Sequence, residues 1–141
     1  MNQAVKNMAA FEDAAVSLRP IETIRPTEAV NVESCLTLKC NIVESSLWTH
    51  PIVVDKGSGL IMDGNHRYQV AKSLGLRLIP CVEMDYNDKG IEVADWNSGA
   101  AFPIERILEL VESKEILPYK STRHSFPINI PETAIPIPRL R

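Results

Sequence analysis

Asp63-Gly64-Asn65-His66-Arg67 places an acid, a glycine, an amide, an imidazole and a guanidinium in succession, directly behind the apolar run Leu60-Ile61-Met62. The grouping suits a phosphate site. The unpaired N–H groups of a helix's first turn and the positive end of its dipole favour an anion, and a helix beginning at Asn65 would set His66 and Arg67 beside that turn. Tyr68, Ala71 and Leu74 recur every third position as such a helix requires, and Gly64 permits a tight turn from strand to helix. Asp63, at the strand end, is placed either to hold a divalent cation or to fix the turn through its own backbone.

Each of the three histidines falls in a short polar cluster. Besides the box around His66 there are Trp48-Thr49-His50-Pro51 and Lys120-Ser121-Thr122-Arg123-His124. Guanidinium and ammonium groups neutralise phosphate charge, hydroxyls and backbone N–H groups orient it, and histidine adds a donor of adjustable charge. The competing explanation is structural: His50 and His124 can cap helices or satisfy buried carbonyls, and Lys120 to His124 can be a solvated basic loop, although its hydroxyls weigh against that. A three-histidine zinc site lacks the H-x-H or H-x-x-x-H spacing that would support it. Glu28, in Pro26-Thr27-Glu28, reads from composition as an acid at a helix entrance.

The elements that must position these residues can be placed along the chain. Gln3 to Ser17 has weak helical spacing and is expected to form a leader helix. Leu18 to Pro26, with two prolines, suits an edge strand running into a loop. Asn31 is a credible N-cap for a helix from Val32 to about Ser45, with Val32, Cys35, Leu36, Leu38, Ile42 and Val43 as its apolar face. Ile52 to Asp63 reads as two short strands around the turn Lys56-Gly57-Ser58-Gly59, and Gly75 as the stop of the phosphate-box helix. Leu78 to Tyr86 is a buried strand whose first half Pro80 demotes to an edge or bulge, and Ile91 to Trp96 is a short strand. Ile104 to Val111 forms a third helix behind Pro103. Prolines at 127, 131, 136 and 138 preclude a continuous helix or central strand, so the tail is expected to run extended, strapped over the surface.

The chain's 141 residues suit one domain with an ordinary core. A formal charge of −3 argues against a protein whose main task is to coat nucleic acid or an anionic membrane. Cys35, Cys40 and Cys81 form no C-x-x-C pair, which fits a reduced, cytoplasmic compartment. No stretch approaches the roughly 20 apolar residues of a membrane span, and the first seventeen residues lack a continuous hydrophobic run, so a soluble, unsecreted protein is expected.

The order of Glu28, Trp48 to Asp55, Asp63-Gly64-Asn65-His66-Arg67, Ile79-Pro80-Cys81 to Asp85-Tyr86, and Lys120 to His124 resembles the ParB/sulfiredoxin superfamily, and within it the free serine kinases, including those of the SbnI type. The resemblance covers about residues 18 to 126, leaving a leader (1–17) and a proline-rich tail (127–141). It implies an α/β (α+β) fold with a small mixed sheet and flanking helices. It also implies a kinase that transfers the terminal phosphoryl group of ATP or ADP to the side-chain hydroxyl of a free amino acid, L-serine or alternatively L-threonine. Glu28 would then be the catalytic base. Asp63 would orient Mg²⁺ or phosphate, and Gly64, Asn65, His66, Arg67, Lys120, Ser121 and Thr122 would bind nucleotide phosphates. Trp48, Thr49, His50, Arg123 and His124 would contact the amino acid. Two branches fit poorly: sulfiredoxin chemistry needs a cysteine where this chain has Asn65, and partition-type ParB proteins continue into helix-turn-helix segments. A non-catalytic nucleotide-binding regulatory module is the alternative; neither nucleic acid nor membrane is expected as a partner.

Overall fold

A computed structural model describes residues 14–141. The expected leader helix falls almost wholly outside the described residues, and its last residue, Ser17, begins a strand. The elements in chain order are β1 (Ser17–Pro20), a 3-10 turn (Ile21–Thr23), α1 (Val32–Ser45), β2 (Leu47–Trp48), β3 (Ile52–Asp55), β4 (Ile61–Asp63), α2 (Asn65–Ser73), β5 (Leu78–Met84), β6 (Glu92–Asp95), α3 (Ile104–Glu112), β7 (Thr122–Ser125), β8 (Ile135–Pro136) and a final 3-10 turn (Ile137–Leu140).

The main sheet is mixed, with strand order β1-β5-β3-β4. β5 runs parallel to β3 and antiparallel to β1, while β3 and β4 form an antiparallel hairpin with a register shift between Val53 and Val54. Apolar residues run continuously through these strands because both faces are covered. Ile52, Val54, Ile61, Ile79 and Cys81 face a core completed by Ile42 of α1 and Tyr68, Val70 and Ala71 of α2. Val53, Met62, Val82 and Met84 turn the other way and pack with Ile91, Phe126 and Ile130. A smaller cluster of Val93, Ile107 and Leu117 joins the β6–β7 ribbon to α3.

Pro80 is accommodated by stagger. The first half of β5 pairs with β1 at Leu78 to Cys81, and β3 pairs only from Cys81 onward, so the proline sits where one side of the strand has no neighbour. α1 begins as expected, with the Asn31 side chain accepting from Ser34 N–H at 2.9 Å. Its apolar face is narrower than the sequence suggests. Ile42 is buried and Cys35 and Leu38 pack beside it, but Val32, Leu36 and Val43 are 69%, 57% and 56% exposed.

The last two segments take up specific places. Thr122 to Ser125 forms a strand paired antiparallel with β6, which removes the solvated-loop alternative for that segment. The tail does not lie merely on the surface: β8 pairs with β2, and Ile137 and Leu140 are buried in the main core beside Trp48. Ile137 N–H donates to Ser46 O at 3.0 Å, and Arg77 N–H donates to Leu140 O at 2.8 Å. Its prolines preclude a continuous helix, and the closing 3-10 turn sets Ile137 and Leu140, three residues apart, on its buried side.

Candidate active site

α2 starts where β4 ends, and Gly64 makes the hinge. Its φ is +114°, and a Cβ there would lie 2.5 Å from Ile52 Cγ2, so both conformation and space demand glycine. The start of α2 forms one wall of a cleft of about 490 Å³. The opposite wall comes from the Tyr119 to His124 segment, more than 50 residues later in the chain. Backbone bonds bring them together: Leu117 N–H donates to Thr27 O and Ala29 N–H to Leu117 O, each at 2.8 Å. Beyond this junction Thr122 donates both its N–H and its hydroxyl to Glu28 Oε1, each at 2.7 Å.

The cleft gathers Glu28, His50, Asp63, Gly64, Asn65, His66, Arg67, Lys120, Thr122, Arg123 and His124, together with Leu38, Met62, Trp96 and Tyr119. Arg67, Lys120 and Arg123 face Glu28 and Asp63, so cations outnumber carboxylates in an acidic chain. Arg67, in the first turn of α2, lies 3.5 Å from Asp63 at the end of β4. Burial lowers the Arg67 guanidinium and the adjacent Asp63 carboxylate opposes that shift. Lys120 and Arg123 rest over the Trp96 ring, at 5.2 and 4.3 Å from its centroid. Trp96 and Tyr119 were not singled out from sequence. Their signal was an aromatic near the end of β6 and one preceding the Lys120 cluster, and neither spacing distinguishes a cleft wall from a core face.

Burial favours the neutral form of both His66 and His124. Asn31 N–H donates to His66 Nε2 at 3.0 Å, which leaves the ring proton on Nδ1. Burial lowers the His66 pKa, and the charges of Arg67 and Lys120 lower it further. Burial likewise takes His124 down to about 4, against the opposing pull of Asp63. His124 Nε2 lies 3.0 Å from Tyr86 OH, its ring stacks on Phe126, and its Nδ1 is buried without a partner.

Several expected contacts are absent from the cleft. Trp48 is 1% exposed, belongs to the main core, and donates its indole N–H to His50 O at 2.7 Å. Thr49 does not line the cleft; its hydroxyl pairs with His50 Nδ1 at 2.9 Å. Ser121 faces away and donates to Pro118 O at 2.6 Å. The Asn65 side chain, expected at phosphate, is committed to internal hydrogen bonds: Oδ1 accepts from Thr27 N–H at 2.9 Å and Glu28 N–H at 3.3 Å. His50 does reach the cleft, where its Nε2 lies 3.4 Å from Glu132 of the tail. Among the described residues no group of three or more His, Cys, Asp or Glu is arranged to hold a metal ion.

No family model matches the chain. It is 42% identical over 74 residues to a ParB-like protein of Sulfolobus acidocaldarius, a match covering 52% of this chain and 37% of that protein. It is also 38% identical over 63 residues to an ATP-dependent L-serine kinase of Desulfurococcus mucosus, covering 42% and 25%. Among solved structures, a free serine kinase in complex with AMP superimposes with a TM-score of 0.84 at 15% identity, covering 93% of this chain and 95% of that one. Over the aligned stretch the chain is similar to ParB-like and L-serine kinase proteins. The chain shares the fold of the free serine kinases, with β4, α2 and β7 framing the cleft. The matched stretch spans only about a quarter to a little over a third of those sequence relatives' length.

Proposed function

We propose that this domain is a free amino acid kinase, transferring the terminal phosphoryl group of ATP or ADP to the side-chain hydroxyl of L-serine to give O-phospho-L-serine, with L-threonine as the alternative acceptor. The observation that carries this reading is the meeting of a carboxylate with an anion-binding wall. Glu28 lies in the same cleft as the N-terminus of α2, Arg67, Lys120 and Arg123, and already accepts a hydroxyl hydrogen bond at 2.7 Å. A serine hydroxyl in that position would lose its proton to Glu28 while its oxygen attacks the terminal phosphorus. The bond from that phosphorus to the bridging oxygen breaks, and the shortened nucleotide leaves.

The roles of the other groups follow from their chemistry. The backbone N–H groups at the start of α2, the Nδ1–H of His66 and the guanidinium of Arg67 would hold phosphate. Lys120 and Arg123 carry no acidic partner within ion-pair distance among the described residues, so they are available to phosphate or to the amino acid's carboxylate. The unpartnered Nδ1 of His124 would complete the acceptor side. Asp63 fits as a single carboxylate ligand for nucleotide-bound Mg²⁺, since magnesium in such sites takes one or two carboxylates besides phosphate and water. The bound ion would supply charge neutralisation on the phosphates. ATP-dependent L-serine kinases among the sequence relatives and the shared fold support the same reading.

A non-catalytic nucleotide-binding module is favoured by one feature: Glu28 Oε1 is already engaged twice by Thr122. The test is to incubate the purified chain with Mg²⁺, ATP or ADP, and a panel of free amino acids, following phosphorylated products by mass spectrometry. O-phosphoserine or O-phosphothreonine identifies donor and acceptor together. Nucleotide binding without any product would transfer the assignment to the regulatory module.

A further inference from the structure

Asn65 and Thr27 are the buried polar residues of the described chain, at 8% and 5% exposure, and they are bonded to each other. We propose that Asn65 is a positioning residue for Glu28, acting through the backbone of the loop that carries it. The inference rests on the kinase reading of the cleft. One carbonyl oxygen, Asn65 Oδ1, receives the consecutive N–H groups of Thr27 and Glu28. Asn65 Nδ2 donates to Thr27 Oγ1 at 3.1 Å, and that hydroxyl donates to Ile61 O at 2.8 Å. The Thr27 carbonyl is held in turn by Leu117 N–H.

The chain of bonds has a physical purpose. Glu28 sits in the loop between the 3-10 turn and α1, and phosphoryl transfer demands a close tolerance in where its carboxylate lies. Asn65 opens the helix that presents the phosphate-binding N–H groups. Its side chain therefore ties the base to the phosphate wall at a fixed separation, with Ile61 of β4 as the anchor. An amide is the side chain for the task, because it must accept two N–H groups and donate to a hydroxyl at once. Aspartate can accept but not donate, and alanine leaves two buried N–H groups unpaired.

The test compares the wild-type chain with Asn65→Ala, Asn65→Asp and Thr27→Val. Asn65→Ala should lower kcat about 10- to 100-fold while nucleotide Kd stays within about threefold, since the phosphate contacts remain. Amide hydrogen exchange at Thr27 and Glu28 should accelerate without change in β3 or β5. Asn65→Asp retains the acceptor and should restore protection of both amides. It also adds a negative charge beside Glu28, moving the acid limb of the kcat/KM profile to higher pH. Thr27→Val keeps both N–H bonds and should lose less activity than Asn65→Ala. A weakened nucleotide affinity with kcat preserved in Asn65→Ala would overturn the proposal in favour of direct phosphate contact. Unchanged exchange at Thr27 and Glu28 would overturn it independently of turnover. A wild-type chain that binds nucleotide but yields no product would instead sink the kinase reading, which the exchange measurement does not depend on.

Discussion

Glu28 illustrates how far a residue's role depends on what folds against it. Its backbone is held from one side by Asn65 and its carboxylate from the other by Thr122, 94 residues away. If it is the base, Glu28→Gln should preserve nucleotide affinity and lower kcat about 10²- to 10⁴-fold, as expected for loss of a positioned general base. Unimpaired turnover in a single-turnover assay would remove it from that role. Arg67 predicts the opposite pattern. Arg67→Ala should weaken nucleotide binding by about 1.5–3 kcal/mol, roughly 10- to 150-fold in Kd, measurable by calorimetry. The variant also leaves Asp63 without its cationic neighbour, so a double substitution with Asp63→Asn separates the two effects.

At the scale of elements, the strand-to-helix hinge and the tail were legible to different degrees. The D-G-x-H-R spacing placed β4, Gly64 and α2 correctly because an apolar strand, a glycine with no room for a side chain and a helical period coincide there. Gly64→Ala should therefore cost about 1–3 kcal/mol in backbone strain alone, with more from the collision against Ile52. Weaker nucleotide binding should accompany it, and wild-type affinity together with unchanged stability would show that the hinge tolerates a Cβ. The tail is only partly legible, since proline count reports where a long helix cannot form but not that Ile137 and Leu140 will be buried. Leu140 is fully buried in the main core, and Leu140→Ala should lower stability by about 2–5 kcal/mol in a urea titration. A loss below about 0.5 kcal/mol, the range of ordinary surface substitutions, would contradict its place in the core.

For the whole molecule, acid stability tests the two half-buried cleft histidines. His124 has its pKa lowered to about 4 in the folded chain, against an ordinary value of 6.5. Between those values the unfolded chain binds more protons, so stability is fully present above about pH 6.5 and declines as pH falls toward 4. His66, shifted in the same direction, adds to the decline. His124→Gln, which keeps a polar group near Tyr86 but does not titrate, should flatten the fall in urea midpoint between pH 7 and pH 5. An equally steep fall in that variant would assign the acid sensitivity elsewhere. No helix among the described residues is long and apolar enough to cross a membrane.

Local chemistry determined what this sequence could declare by itself: the phosphate box, the cap at Asn31, the hairpin around Gly59, the strand-and-helix alternation and the apolar runs of a sheet covered on both faces. Each depends on residues within one turn or one strand of each other. The tertiary structure decided the rest. Trp48 and Asn65 look alike as polar-cluster members in sequence, yet one fills the core and the other fixes the Glu28 loop. Trp96 enters the cleft beneath Lys120 and Arg123, and Thr122 reaches Glu28, only because β7 pairs with β6 and Leu117 bridges Thr27 and Ala29. Such contacts join residues far apart in the chain, and which side chain faces a partner across that distance is set by packing and strand register rather than by local spacing.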